Sequence, residues 1–86
     1  MLQGKYLKYT EDITFDIFKK IVNKLEGNGW KDLISRTIEE QFKEFTENGY
    51  LIYCGPSYPN NYSFYANNVI CVTDKEIKIS DIIGRF

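Results

Sequence analysis

Residues 37–54 read Thr37-Ile38-Glu39-Glu40-Gln41-Phe42-Lys43-Glu44-Phe45-Thr46-Glu47-Asn48-Gly49-Tyr50-Leu51-Ile52-Tyr53-Cys54, and the apolar period changes within them. Ile38, Phe42 and Phe45 recur at i, i+4 and i+7, the spacing of one face of a helix. Thr37 and Glu40 have the T-x-x-E form of a capping box, so this helix is predicted to open at Thr37 and to run to about Thr46. Glu39 and Lys43 stand one turn apart and are placed to pair. Glu47-Asn48-Gly49 stops the helix, because Gly tolerates the left-handed conformation a C-terminal cap requires. From Tyr50 the residues are β-branched or aromatic, and the period becomes that of a strand. A helix handed directly to a strand run points to an α+β fold.

Working outward in both directions gives the remaining elements. On the N-terminal side, Phe18, Ile21, Val22 and Leu25 form a second helical stripe, with Asp16, Lys19, Lys20, Asn23 and Lys24 on the other faces. Thr14 suits the N-cap, Asp16 and Lys24 complement the helix dipole, and Gly27-Asn28-Gly29 ends the helix. Trp30 follows directly and is predicted to fold back onto the helix as a core anchor, with only a weaker claim to a contact surface. Residues 5–9 alternate loosely and read as a short strand, with an edge position open to it. Leu33 and Ile34 read as a packed connector.

On the C-terminal side, residues 55–61 carry two prolines and turn residues, so they read as a loop. Tyr62-Ser63-Phe64-Tyr65-Ala66 reads as a strand, Asn67-Asn68 as a tight turn and Val69-Ile70-Cys71-Val72-Thr73 as a further strand. Residues 77–83 read either as a last strand or as a helical turn capped by Ser80. The expected architecture is one α+β domain over residues 1–86. It comprises a short N-terminal strand, two helices, and a three- to four-stranded antiparallel meander packed against the helical stripes.

Composition narrows the functions. Lys and Arg number 11 and Asp and Glu 12, there is no His, and the net charge is −1. That balance argues against a nucleic-acid partner held by bulk charge and against a polybasic membrane-surface protein. The sequence has no apolar run of membrane-spanning length and no signal-like leader, so the expected location is the cytoplasm. Without His the commonest general base and metal ligand are missing, and Cys54 and Cys71 have no zinc-site spacing. No nucleophile elbow or phosphate-binding glycine loop is present. The carboxylate pairs Glu11/Asp12 and Glu39/Glu40 sit at helix starts, where capping accounts for them. The expectation is therefore a protein with no catalytic residues, no metal and no cofactor.

The distribution of charge is more informative than its sum. Every Asp, Glu, Lys and Arg lies in residues 1–47 or 74–86, and residues 48–73 contain none. In their place stand five tyrosines and five asparagines, a vocabulary of rigid rings with polar tips and short amides that suits adaptable contact surfaces. A central hairpin covered by helices would also need no charge, but burial does not explain a neutral 55–61 loop. Tyr53, Tyr58, Asn60, Asn61, Tyr62, Tyr65 and Asn67 are therefore the candidate binding residues. Their partner is expected to be a protein, with a second copy of the chain as a further candidate.

The order of features resembles small accessory proteins encoded by bacteriophages and mobile elements. The resemblance is carried by Ile13–Trp30 (I-T-F-D-I-F-K-K-I-V-N-K-L-E-G-N-G-W), Tyr50–Tyr53 (Y-L-I-Y), the hairpin, and residues 74–83 (D-K-E-I-K-I-S-D-I-I). Proteins of this kind include anti-CRISPR and other anti-defence inhibitors, which act by occluding a working surface of a host protein. The resemblance implies an inhibitor or modulator of a host macromolecule, acting in the host cytoplasm without catalysis. The alternatives are a small-nucleotide binder that sequesters a signal, and a homo-oligomeric assembly protein.

Overall fold

The computed structural model describes residues 2–54, 59–65 and 75–84. Strand β1 (Lys5–Lys8) leads into helix α1 (Phe15–Gly27), a two-residue strand β2 (Lys31–Asp32) and helix α2 (Ile38–Asn48). Strands β3 (Tyr50–Cys54) and β4 (Asn61–Tyr65), a second two-residue strand β5 (Lys75–Glu76) and the short helix α3 (Ser80–Ile83) complete the order.

The helix boundaries follow from their caps. The Thr14 hydroxyl accepts from the Ile17 amide. At Thr37 the capping box is complete: Thr37 Oγ1 accepts from the Glu40 amide, and Glu40 Oε1 accepts from the Thr37 amide. Gly49 closes α2 at φ +85°, a conformation that a side chain at this position would strain. One turn along α2, Lys43 reaches Glu47, at 3.9 Å. The C-terminal turn is helical, but its cap differs from expectation. Ser80 is the first helical residue, and the Asp81 carboxylate accepts from the Lys78 amide.

The sheet corrects the expected meander. Its order is β2-β4-β3-β1-β5, and it is mixed. The β3–β4 hairpin is antiparallel as expected, and β1 is antiparallel to β3, but β2 runs parallel to β4 and β5 parallel to β1. Thus β1 is an interior strand, and among the described residues both sheet edges are two-residue strands. Each edge strand carries one lysine and one acid, a short charged edge that discourages pairing with another sheet. The Leu33–Ile34 connector is corrected as well. The Leu33 amide donates to Tyr62 O at 2.9 Å, while Ile34 is 63% exposed. The expected strand 69–73 and the turn at Asn67-Asn68 lie outside the described residues.

The core lies between the helices and one sheet face. Phe18, Ile21, Val22 and Leu25 of α1 meet Phe45 of α2 and Leu7, Leu51, Tyr53, Tyr62 and Phe64 of the sheet. Phe18 is the hub, stacked on Phe45 at 5.4 Å and tilted against Phe42 at 5.2 Å and Phe64 at 6.2 Å. Each such pair adds about 0.5–1.5 kcal/mol beyond its area burial. On the opposite sheet face Tyr6 and Tyr50 meet edge-on at 5.6 Å, and Ile52 and Cys54 are buried.

Candidate functional site

The seven residues expected to bind a partner separate in the structure. Tyr53 and Tyr62 face each other across the hairpin, both on the helix side, at 0% and 1% exposure. Their assignment to an exposed contact surface is therefore corrected: strand alternation turns both rings into the core, together with Leu51 and Phe64. Tyr65 ends β4 opposite Tyr50, and Asn61 is a half-exposed partner of Cys54. Tyr58 and Asn67 lie outside the described residues. Among the described residues, Tyr62 borders a cleft beside Arg36, and Asn60 lines a separate pocket beside Trp30.

That pocket has a volume of about 430 Å³ and draws on four separate segments. Leu2 and Gln3 enter from the chain ahead of β1, anchored by the Gly4 amide donating to Tyr53 O at 2.8 Å. Asn28 and Trp30 come from the end of α1, where Gly29 at φ +89° turns the chain and the Trp30 amide donates back to Leu25 O. Asn60, left-handed at φ +59°, enters from the turn before β4, and its carbonyl accepts from Lys31 N at 2.8 Å. Asp81 and Ile82 come from α3. Trp30, the only tryptophan of the chain, is 7% exposed and packs edge-on against Tyr53, with ring centroids 5.5 Å apart. It acts as the expected core anchor and also shows its remaining surface to the pocket.

The polar side chains of this pocket have hydrogen-bonding capacity to spare. Gln3, Asn28 and Asn60 make no side-chain hydrogen bond among the described residues, and Asp81 uses one carboxylate oxygen, on Lys78 N. Asn28, Asn60 and Asp81 are exposed. The Tyr53 hydroxyl is buried without a hydrogen-bond partner among the described residues. Burial pushes its ionisation well above the ordinary phenol range, and the neighbouring Tyr62 adds to the shift.

A second polar cluster stands only two residues further along the chain. The Asp32 carboxylate takes two bonds from the Arg36 guanidinium, at 3.0 and 2.8 Å, and one from the Arg36 backbone amide at 2.9 Å. This closes the 32–36 turn, in which Ser35 is left-handed at φ +59°. Hydrogen bonding to Asp32 raises the Arg36 ionisation against the opposing effect of burial. The guanidinium also lies 4.9 Å from the centroid of the Phe64 ring. Gln41 donates to Arg36 O at 2.9 Å and accepts from the Tyr62 hydroxyl at 2.7 Å. Burial foremost, with the fields of Asp32 and Glu26, pushes Tyr62 above the ordinary phenol range. Two clefts of about 250 and 310 Å³ flank the cluster and share Glu26, Arg36 and Gln41. Their central polar groups are already bonded to one another, which marks the cluster as structural.

Sequence reasoning found Asn60 and ranked Trp30 low, and it missed Gln3, Asn28 and Asp81. The one available signal was Trp30 placed directly after a Gly-Asn-Gly stop. Gln3 and Asp81 reach the pocket through tertiary contacts between α1 and α3 and through the sheet, which no local pattern encodes. Among the described residues no group of three or more His, Cys, Asp or Glu is placed to hold a metal ion, and no helix is long and apolar enough to cross a membrane. No family model matches the chain, and no curated protein or solved structure is significantly similar to it.

Proposed function

We propose that this chain is a non-catalytic binding protein that inhibits or modulates a host macromolecule by direct protein contact, as phage and mobile-element anti-defence proteins do. The observation that carries the reading is the Trp30 pocket. A tryptophan with a little surface left open is ringed by amides and a carboxylate with unspent hydrogen-bonding capacity. Aromatic anchors bordered by polar groups of this kind are enriched at protein interfaces. Asn60, an exposed residue of the charge-free stretch 48–73, joins that stretch to the pocket. The reading requires no cofactor and places the protein in the host cytoplasm.

The test is capture from bacterial lysate with the tagged protein, with and without nuclease treatment, read by mass spectrometry. The expected result is one host protein retained after nuclease treatment. Absence of a retained protein in both lysates would overturn the proposal.

The pocket volume falls within the range of small-molecule sites, which favours a nucleotide binder as the second reading. Against it, Asp81 is the only charged side chain among the described lining residues, and a carboxylate repels phosphate. A nucleotide-dependent rise in melting temperature would favour that reading over protein binding. An assembly protein, the remaining alternative, would scatter light as a large homo-oligomer.

A further inference from the structure

We infer that the Trp30 pocket receives a basic side chain, arginine or lysine, presented by the partner protein. The inference rests on the protein-binding reading and names the chemistry of its site. Four facts converge on a cation. The only charged lining residue among those described is Asp81, and no described lysine or arginine lines the pocket with it. One Asp81 oxygen is held by Lys78 N, which fixes the carboxylate while leaving the other oxygen available. Gln3, Asn28 and Asn60 each bring an amide oxygen that no described residue uses. Trp30 is the aromatic residue among the described lining, and a tryptophan ring attracts a guanidinium or ammonium group through its quadrupole.

The apolar members of the wall complete the fit. Leu2 and Ile82 suit the methylene stem of a lysine or arginine, which packs on apolar surface while its head reaches polar partners. At about 430 Å³ the pocket is large enough for one such side chain with its hydration. An acidic or phosphorylated segment would meet Asp81 with like charge and find no cation among the described lining residues to offset it.

The sole tryptophan provides the readout. Titration of the full chain with N-acetyl-arginine methylamide should change Trp30 fluorescence saturably, as should the lysine analogue. The neutral isostere N-acetyl-citrulline methylamide should bind about tenfold more weakly, because it lacks the charge-assisted contact. Asp81→Asn retains an oxygen to accept from Lys78 N, and it should weaken arginine-amide binding by a similar factor with an unchanged melting temperature. Asn28→Ala, at an exposed position, provides a second variant and should weaken binding two- to threefold by the loss of about one amide contact. Equal affinity for arginine and citrulline amides, insensitivity to both variants, or no saturable signal would each overturn the inference. Failure here with a host protein still captured from lysate would reject the basic-side-chain chemistry and leave the protein-binding reading standing.

Discussion

Tyr53 and Tyr62 are cross-strand neighbours with the same residue type, the same sheet face and nearly complete burial, yet they differ in one bond. Tyr62 donates its hydroxyl to Gln41, which is tied to Arg36 and through it to Asp32. Tyr53 donates to no described residue and packs instead on the tryptophan that borders the pocket. Side by side, one region uses its polar groups on itself and the other leaves them unspent. A buried polar cluster that is satisfied specifies structure, whereas exposed, unbonded polar groups around an aromatic ring are available to a partner. On the reading proposed above, the satisfied cluster holds the fold and the pocket with unspent polar groups is the part that meets a partner.

The comparison breaks first at Arg36. Arg36→Ala leaves the Asp32 carboxylate, whose side chain is 4% exposed, without its charge partner. The expected loss is about 3–5 kcal/mol in denaturant unfolding, the range for removing one member of a buried pair. A loss below 1 kcal/mol would mean that the cluster is incidental. Tyr62→Phe follows, at about 1–2 kcal/mol, because it leaves the buried Gln41 oxygen without its donor. Tyr53→Phe should lie within about 0.5 kcal/mol of the parent or be slightly more stable, since no hydrogen bond is lost and a desolvated hydroxyl is removed. Equal costs for the two Tyr→Phe changes would erase the distinction drawn here.

Alkaline titration sharpens the same contrast. Both phenols ionise above their ordinary value of 10.0 in the folded chain, principally through burial. Their contribution to stability is therefore complete below about pH 10. It is lost as pH rises further, because the unfolded chain releases those protons and the folded chain does not. Phenolate absorbance should show a late phase that coincides with unfolding, and each Tyr→Phe variant should remove part of it. A phase that precedes unfolding would contradict the burial of both rings.

Much of the helical layer was legible in the sequence, because caps and stripes are local. Thr14, the Thr37–Glu40 box, Gly49 and the Phe18-Ile21-Val22-Leu25 face all stand where their chemistry indicates. The sheet was less legible. Tyr50–Cys54 is apolar or aromatic at every position, so its period does not say which residues face the helices, and the alternation that buries Tyr53 emerges only when Leu51 and Phe64 are seen beside it. β2 and β5 are two residues long and carry no period at all, which is why parallel edges replaced the expected meander. The pocket was legible at Asn60 and faintly at Trp30. Gln3 and Asp81, almost the length of the chain apart, are joined only by the folded topology.

Crosslinking from two exposed positions separates the pocket from the helical layer as the surface that a partner would meet. A photo-crosslinking residue placed at Asn28, an exposed position on the pocket rim, is compared with one at Glu39, exposed on α2. After irradiation in bacterial lysate, the expected result is a discrete adduct with one host protein from position 28 and none from position 39. An adduct from position 39 without one from position 28 would contradict the account and move the working surface to the helical layer.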